Sequence, residues 1–193
     1  MGKFKNLLLL SVCSGVLLSG QAQAQEGNGW TIAPFLNDDF DPHFTVGVTT
    51  GSMNLKLPGA GTDTVNGLTL SLNCPWFQPP TGTIRQVFNY NVVDDGNYEV
   101  RTFEMNPRYY VSVSPSVQVG VGPGIGYMWV DSDVGNDGEV WTFQVGADVD
   151  YRNKNLFLGA GARYMITEED NIGLSANQSA DNWVVQLRAG LNF

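Results

Sequence analysis

The closing segment of the chain, Trp183–Phe193, alternates strictly between two faces. Trp183, Val185, Leu187, Ala189, Leu191 and Phe193 point one way; Val184, Gln186, Arg188, Gly190 and Asn192 point the other. A period of two held this long describes a β-strand with a different medium on each side. Because the period is two, one residue of slippage would exchange the faces, so the pattern also fixes the register.

The alternation recurs back along the chain. In Val140–Tyr151, the residues Trp141, Phe143, Val145, Ala147, Val149 and Tyr151 oppose Thr142, Gln144, Gly146, Asp148 and Asp150. Leu156–Met165, Val117–Val130, Ile84–Val92, Val65–Leu72 and His43–Leu57 follow the same rule. Tyr98–Val113 changes phase once, which predicts a bulge near Arg101, and Pro107 predicts irregular pairing because it lacks an amide proton. That makes about eight strands. Their polar face carries Arg85, Glu104, Arg108, Asp148, Asp150, Arg163 and Arg188, while the opposite face is aliphatic and aromatic. Apolar outside and charged inside predicts an all-β transmembrane up-and-down antiparallel β-barrel. Past the N-terminus no apolar run has the length of a membrane-spanning helix.

The N-terminus reads as an export signal. Lys3 and Lys5 precede the uncharged run Leu7–Leu18, and Ala22-Gln23-Ala24 offers small residues where a signal peptidase cuts. Cys13 suggests a lipoprotein alternative, but the bulky Val12 before it and the short apolar run ahead of it favour cleavage after Ala24. The expected organisation is a cleaved signal at 1–24, an N-terminal periplasmic segment at 25–42, and the barrel at 43–193. The formal charge of -9 would become -11 without Lys3 and Lys5. Such acidity excludes nucleic acid, whose phosphates require Lys and Arg patches. Cys74 would be left as the single cysteine, so no intrachain disulfide is expected.

Connections read as alternately short and long. Asp94-Asp95-Gly96-Asn97 is a hairpin turn, Ser114–Ser116 and Arg152–Lys154 are tight, and Asp131–Gly138 and Thr167–Asn182 are longer. An even strand number then places both termini in the periplasm and the acidic loops outside. Cys74–Gly82 breaks the pattern, being long and Pro-rich on the short-turn side. Tyr90, Tyr98, Trp129, Trp141, Tyr164 and Trp183 are expected near the outer interface, and Tyr109, Tyr151 and Phe193 near the inner one.

With its signal, alternating strands, aromatic girdles and terminal Phe193, the chain resembles the small eight-stranded outer-membrane β-barrel proteins of Gram-negative bacteria, of the OmpA-transmembrane-domain and OmpX kind. The resemblance covers nearly all of the mature chain and is one of pattern. It implies a monomeric, non-enzymatic protein of the cell outer membrane with a structural, envelope-integrity or surface-interaction role. Its partners would be outer-membrane lipids and lipopolysaccharide. It also implies that Leu187, Ala189, Leu191 and Phe193 match the C-terminal signal read by the barrel-assembly machinery. No cofactor and no catalytic residue are expected.

Several motifs have plainer readings. The glycines of Gly120–Gly126 recur every second residue in a strand with no helix after them, so they make room in the lumen rather than cradle a phosphate. His43, the single histidine, has Asp39 and Asp41 nearby but no placed Ser, unlike lipid A-modifying barrels. Asp131, Asp133 and Asp137 are weak candidates for a divalent cation, lacking the frame and helices of a calcium loop. The lumen charges are expected to pair and plug the barrel, since buried charges need partners. A narrow channel, a lipid A-modifying enzyme and a soluble exported ligand-binding barrel stay open as alternatives.

Overall fold

The computed structural model describes residues 29–172 and 175–193. The expected signal at 1–24 lies outside the described residues. Eight strands make the body: β1 Thr45–Leu55, β2 Thr62–Asn73, β3 Thr83–Asp94, β4 Tyr98–Ser112, β5 Val117–Ser132, β6 Gly138–Asn153, β7 Leu156–Thr167 and β8 Asn182–Asn192. Each pairs antiparallel with the next, and β8 returns to β1 in unbroken register from Asn182↔Leu55 to Asn192↔Thr45, closing the barrel. Closure leaves the barrel without a free edge, the condition for a sheet surrounded by lipid. Strand β1 starts and strand β8 ends at the same end of the barrel, called the terminal end; the opposite end is the loop end.

Side chains take the faces their alternation requires. Outward-pointing Val145 and Leu187 are 58% and 63% exposed, whereas Glu104 and Asp150 are fully buried inside. Outer aromatics touch in pairs. Tyr127 meets Trp129 and Trp141 edge-on at 4.9 and 5.1 Å, and Tyr164 tilts against Trp183 at 4.7 Å.

The bulge expected near Arg101 is absent. β4 pairs with β3 in one register from Thr83↔Tyr110 to Asp94↔Glu99. The change of phase is instead a change of medium. Towards the loop end the inward face turns apolar, with Met53, Val65, Val93, Val100, Met128, Val130, Met165 and Val184 packed with Ile172 and Ala180 into one core. Outward there stand charged residues such as Glu99, Arg101 and Asp131. This dome is apolar inside and polar outside, as in a water-surrounded barrel, while the wall below it is the reverse. Tyr98 therefore joins no outer girdle: its ring is buried and its hydroxyl donates to the Pro58 carbonyl at 2.9 Å.

Pro107 does disturb its ladder. Pairing of β4 with β5 is interrupted between Met105↔Ile125 and Tyr109↔Val121. Arg108 compensates from the lumen, donating through Nη1 to the carbonyls of Gly122 and, at 2.8 Å, Pro123. The turn after β3 forms as expected: Gly96 has φ +84, and Asp94 and Asp95 carboxylates accept from the amides of Gly96 and Tyr98. The turn after β6 occupies residues 154–155 rather than the expected 152–154, so Arg152 and Asn153 belong to the strand.

The irregular Cys74–Gly82 connection has a structural partner. Phe77–Gln78 pairs with Thr31–Ile32 as a two-stranded ribbon at the terminal end. The Ala33 amide donates to the Trp76 carbonyl at 2.7 Å, and Phe35 packs edge-on against Trp76 at 5.3 Å. Gln78 bonds the Ile84 backbone in both directions, at 2.8 and 3.0 Å. Cys74, which follows β2 and leads into this cap, is fully buried.

Candidate functional site

Alternation sends every second residue of each strand into the lumen, and glycines there create the space that charged side chains fill. A Cβ on Gly124 would lie 2.0 Å from Asn106 Oδ1, and one on Gly161 would lie 2.2 Å from Asp148 Oδ1. Two ionic clusters occupy that space. In the first, Arg163 Nε and Nη2 approach Glu104 Oε2 and Oε1 at 2.9 and 3.0 Å. Glu104 also accepts from Asn91, Thr102 and Asn106, and Arg163 Nη1 donates to Gln186 Oε1 at 2.6 Å.

The second cluster runs towards the terminal end. Asp148 receives Arg108 Nε at 3.0 Å and Arg188 Nη2 at 2.9 Å. Arg188 Nη2 also reaches Asp150 Oδ1 at 2.8 Å, whose other oxygen takes Arg152 Nη2 at 2.9 Å. Arg152 then bonds Thr45 and Asn192 through Nη1, tying β6 to the barrel's closing seam. Of the expected lumen residues, Arg85 alone has no carboxylate partner among the described residues; it donates to Asn73 Oδ1, the His43 carbonyl, Thr45 and Ser71. Arg152 escaped the sequence reading because it was placed in a turn, although it shares the parity of Asp148 and Asp150.

Little room remains. Between Asn89, Asn106, Arg108, Arg163, Gln186 and Arg188 lies a cavity of about 10 Å³, space for one water. Nearer the loop end the apolar core fills the bore.

The other expected sites are dispersed. Asp131 is held by Arg101, and Asp137 Oδ1 accepts the Ser132 amide at 2.9 Å. The structure does not join Asp131, Asp133 and Asp137 into a donor set: no group of three His, Cys, Asp or Glu side chains placed to hold a metal occurs among the described residues. His43 makes an exposed pair with Asp41, Nε2 to Oδ2 3.3 Å, at the terminal end. Leu187, Leu191 and Phe193 point outward, Phe193 with 70% exposure, in phase with Ala189.

An apolar exterior, a closed eight-stranded sheet and a charged lumen define a membrane-spanning β-barrel. The chain belongs to the outer membrane protein beta-barrel domain family, which matches residues 10–193. It is an outer-membrane protein. The N-terminal barrel domain of Pseudomonas aeruginosa OprF is similar in fold, with TM-score 0.53, 15% identity, and coverage of 79% of this chain and 100% of that one. Neisserial surface protein A gives 0.52, 15%, and 78% and 94%. The attachment invasion locus protein Ail of Yersinia pestis gives 0.51, 12%, and 80% and 100%. No curated protein sequence matches it.

Proposed function

We propose that this barrel is non-enzymatic and non-conducting, with its terminal end in the periplasm and its acidic dome at the cell surface, where it serves envelope integrity or surface contact. The observation that carries the reading is the double closure of the bore, by ion pairs across the lumen and by the apolar core above them. Ions would have to dissolve in that core, which a packed aliphatic interior resists. No binding partner is transferred from the similar structures. One Ail structure contains a heparin analogue, but the net charge of -9 on this chain opposes polyanions. The expected signal at 1–24, assembly through Leu187, Ala189, Leu191 and Phe193, and a monomeric state complete the proposal.

Planar-bilayer recording of purified protein tests it. The expected result is a baseline without reproducible conductance steps; stable channels of one size overturn the closed-lumen reading.

A further inference from the structure

The charges inside the bore do not cancel. With Arg85, the two ionic clusters put five guanidiniums against three carboxylates, Glu104, Asp148 and Asp150, among the described residues. This surplus of two positive charges is buried in a chain whose formal charge is -9. It is also unevenly placed. Arg163 and Glu104 neutralise each other. The second cluster keeps one cation too many, and Arg85 adds another, so the surplus gathers at the terminal end. Buried charges without counter-charges are costly, and neutral acceptors offset only part of that cost.

Arg85 and Arg152 converge there. Arg152 Nη1 donates to Thr45 Oγ1 at 2.6 Å, and Arg85 Nη2 reaches the same oxygen at 3.3 Å, so one hydroxyl separates two cations. That hydroxyl gives its own hydrogen to Asn192 Oδ1 at 3.0 Å, which leaves its lone pairs to the guanidiniums. The acids nearby are spent. Asp150 serves Arg188 with one oxygen and Arg152 with the other. Asp41 is turned to His43, 2.8 Å from its amide and 3.3 Å from Nε2. Further donors are left over: the Nε atoms of Arg85, Arg152 and Arg188 are buried and meet no acceptor. Behind them the buried Phe157 ring lies 4.6 Å from the Arg152 guanidinium and 5.8 Å from that of Arg188. At the rim, Lys154 adds a cation in the turn whose carbonyl accepts Asn192 Nδ2 at 3.2 Å.

We infer that the terminal mouth of the lumen binds a small doubly charged oxyanion, inorganic phosphate, between Arg85 and Arg152. The side chain of Arg152 keeps 16% exposure, so it is the arm that solvent reaches. It turns from Thr45 to the entering ion, while Arg85 meets the ion from within the bore. Guanidinium forks present paired N–H groups at the spacing of phosphate oxygens. The two charges of the ligand match the two in surplus. Chloride brings one charge and no second oxygen for a fork, and a phosphodiester brings one charge and two bulky substituents. The site does not depend on which side of the membrane the terminal end faces, and it leaves the lumen closed beyond the mouth.

Thermal unfolding of the full barrel in detergent, at constant ionic strength, tests the site, with calorimetric titration to read affinity. Phosphate at a hundredfold excess over its dissociation constant is expected to raise the wild-type midpoint by roughly 5 °C. Chloride and dimethyl phosphate, a singly charged diester like a lipid headgroup, should give no such rise. Arg85→Met should bind phosphate at least about tenfold more weakly. Arg101→Gln, which removes a cation from the outside of the dome where it pairs with Asp131, should bind as the wild type does. Heat-modifiable gel mobility checks that each variant is folded; if Arg85→Met does not fold, Arg152→Gln at the solvent-reached arm makes the same comparison. No saturable rise, or an equal rise with chloride or dimethyl phosphate, overturns the site. Unchanged affinity in the folded mouth variant marks an adventitious ion only and overturns it as well.

Discussion

Arg163 and Glu104 meet in a two-pronged ion pair, at 2.9 and 3.0 Å, from strands β7 and β4 on different sides of the lumen. Neither side chain reaches water to any useful extent, being 8% and 0% exposed. The pair is thus a strut across the barrel, and what it contributes depends on both ends being present.

Glu104→Gln should destabilise the barrel by about 3–5 kcal/mol, since it leaves the Arg163 guanidinium buried without its anion. Adding Arg163→Met should recover much of the loss. Urea unfolding of the single and double variants in detergent measures both, and additive losses would show that the two side chains do not act as a pair.

Val145→Arg places a cation on the outer wall, where Val145 is 58% exposed. It is expected to cost roughly 2–4 kcal/mol in folding into lipid vesicles. Val145→Leu, on the same face, should be close to neutral. Equal folding of both variants would place this face in water.

Removal of Phe193 separates recognition from stability. Its ring is 70% exposed, and its amide gives one hydrogen bond, to the Phe44 carbonyl at 2.8 Å. The truncated protein should fold in detergent with a loss of roughly 1 kcal/mol, yet accumulate poorly in outer membranes when expressed in cells. Normal outer-membrane levels would count against a read terminal signal.

Cys74 reports on the cap formed by Thr31–Ile32 and Phe77–Gln78. Its thiol is fully buried, so the native protein should resist maleimide until it is boiled in denaturant. Ile32→Asp is expected to leave that protection intact, because the Ile32 side chain is 60% exposed. Cutting the ribbon by Phe77→Pro should open it, as proline removes the amide and distorts the pairing. Rapid labelling of the folded wild type would mean that the cap does not cover the thiol.

Much of the barrel was legible because parity is a local property. Val145 and Asp148 sit on opposite faces whatever the rest of the chain does, and seven charges were assigned inward on that ground. Parity names the face and not the medium, which is why Val100 and Tyr98 were read as a bulge. Their side chains do point inward; what changed was the surroundings, from lipid-spanning wall to dome. Arg152 is missed because its strand runs two residues past the expected end, to Asn153. The cap could not be read at all, because Thr31 and Gln78 come together only through pairing across distant sequence. In the ionic clusters, parity gave membership but not partners: that Arg188 bridges Asp148 and Asp150 while Arg85 finds only neutral acceptors depends on reach across the lumen.

The seam between β8 and β1 joins the last strand made to the first, with Asn192 beside Thr45. Secretion delivers these edges at opposite times, so the earlier one must wait, unpaired, for the whole intervening chain. Any pause in that interval presents an open strand edge to a second molecule of the same sequence, and such edges template intermolecular sheets. Loop closure over so long a span is also slow compared with forming any of the local hairpins. Substitutions at the seam, in Gly47 or Gly190 where an added Cβ would collide with backbone across the join, should therefore appear first as aggregated precursor rather than as a less stable finished barrel.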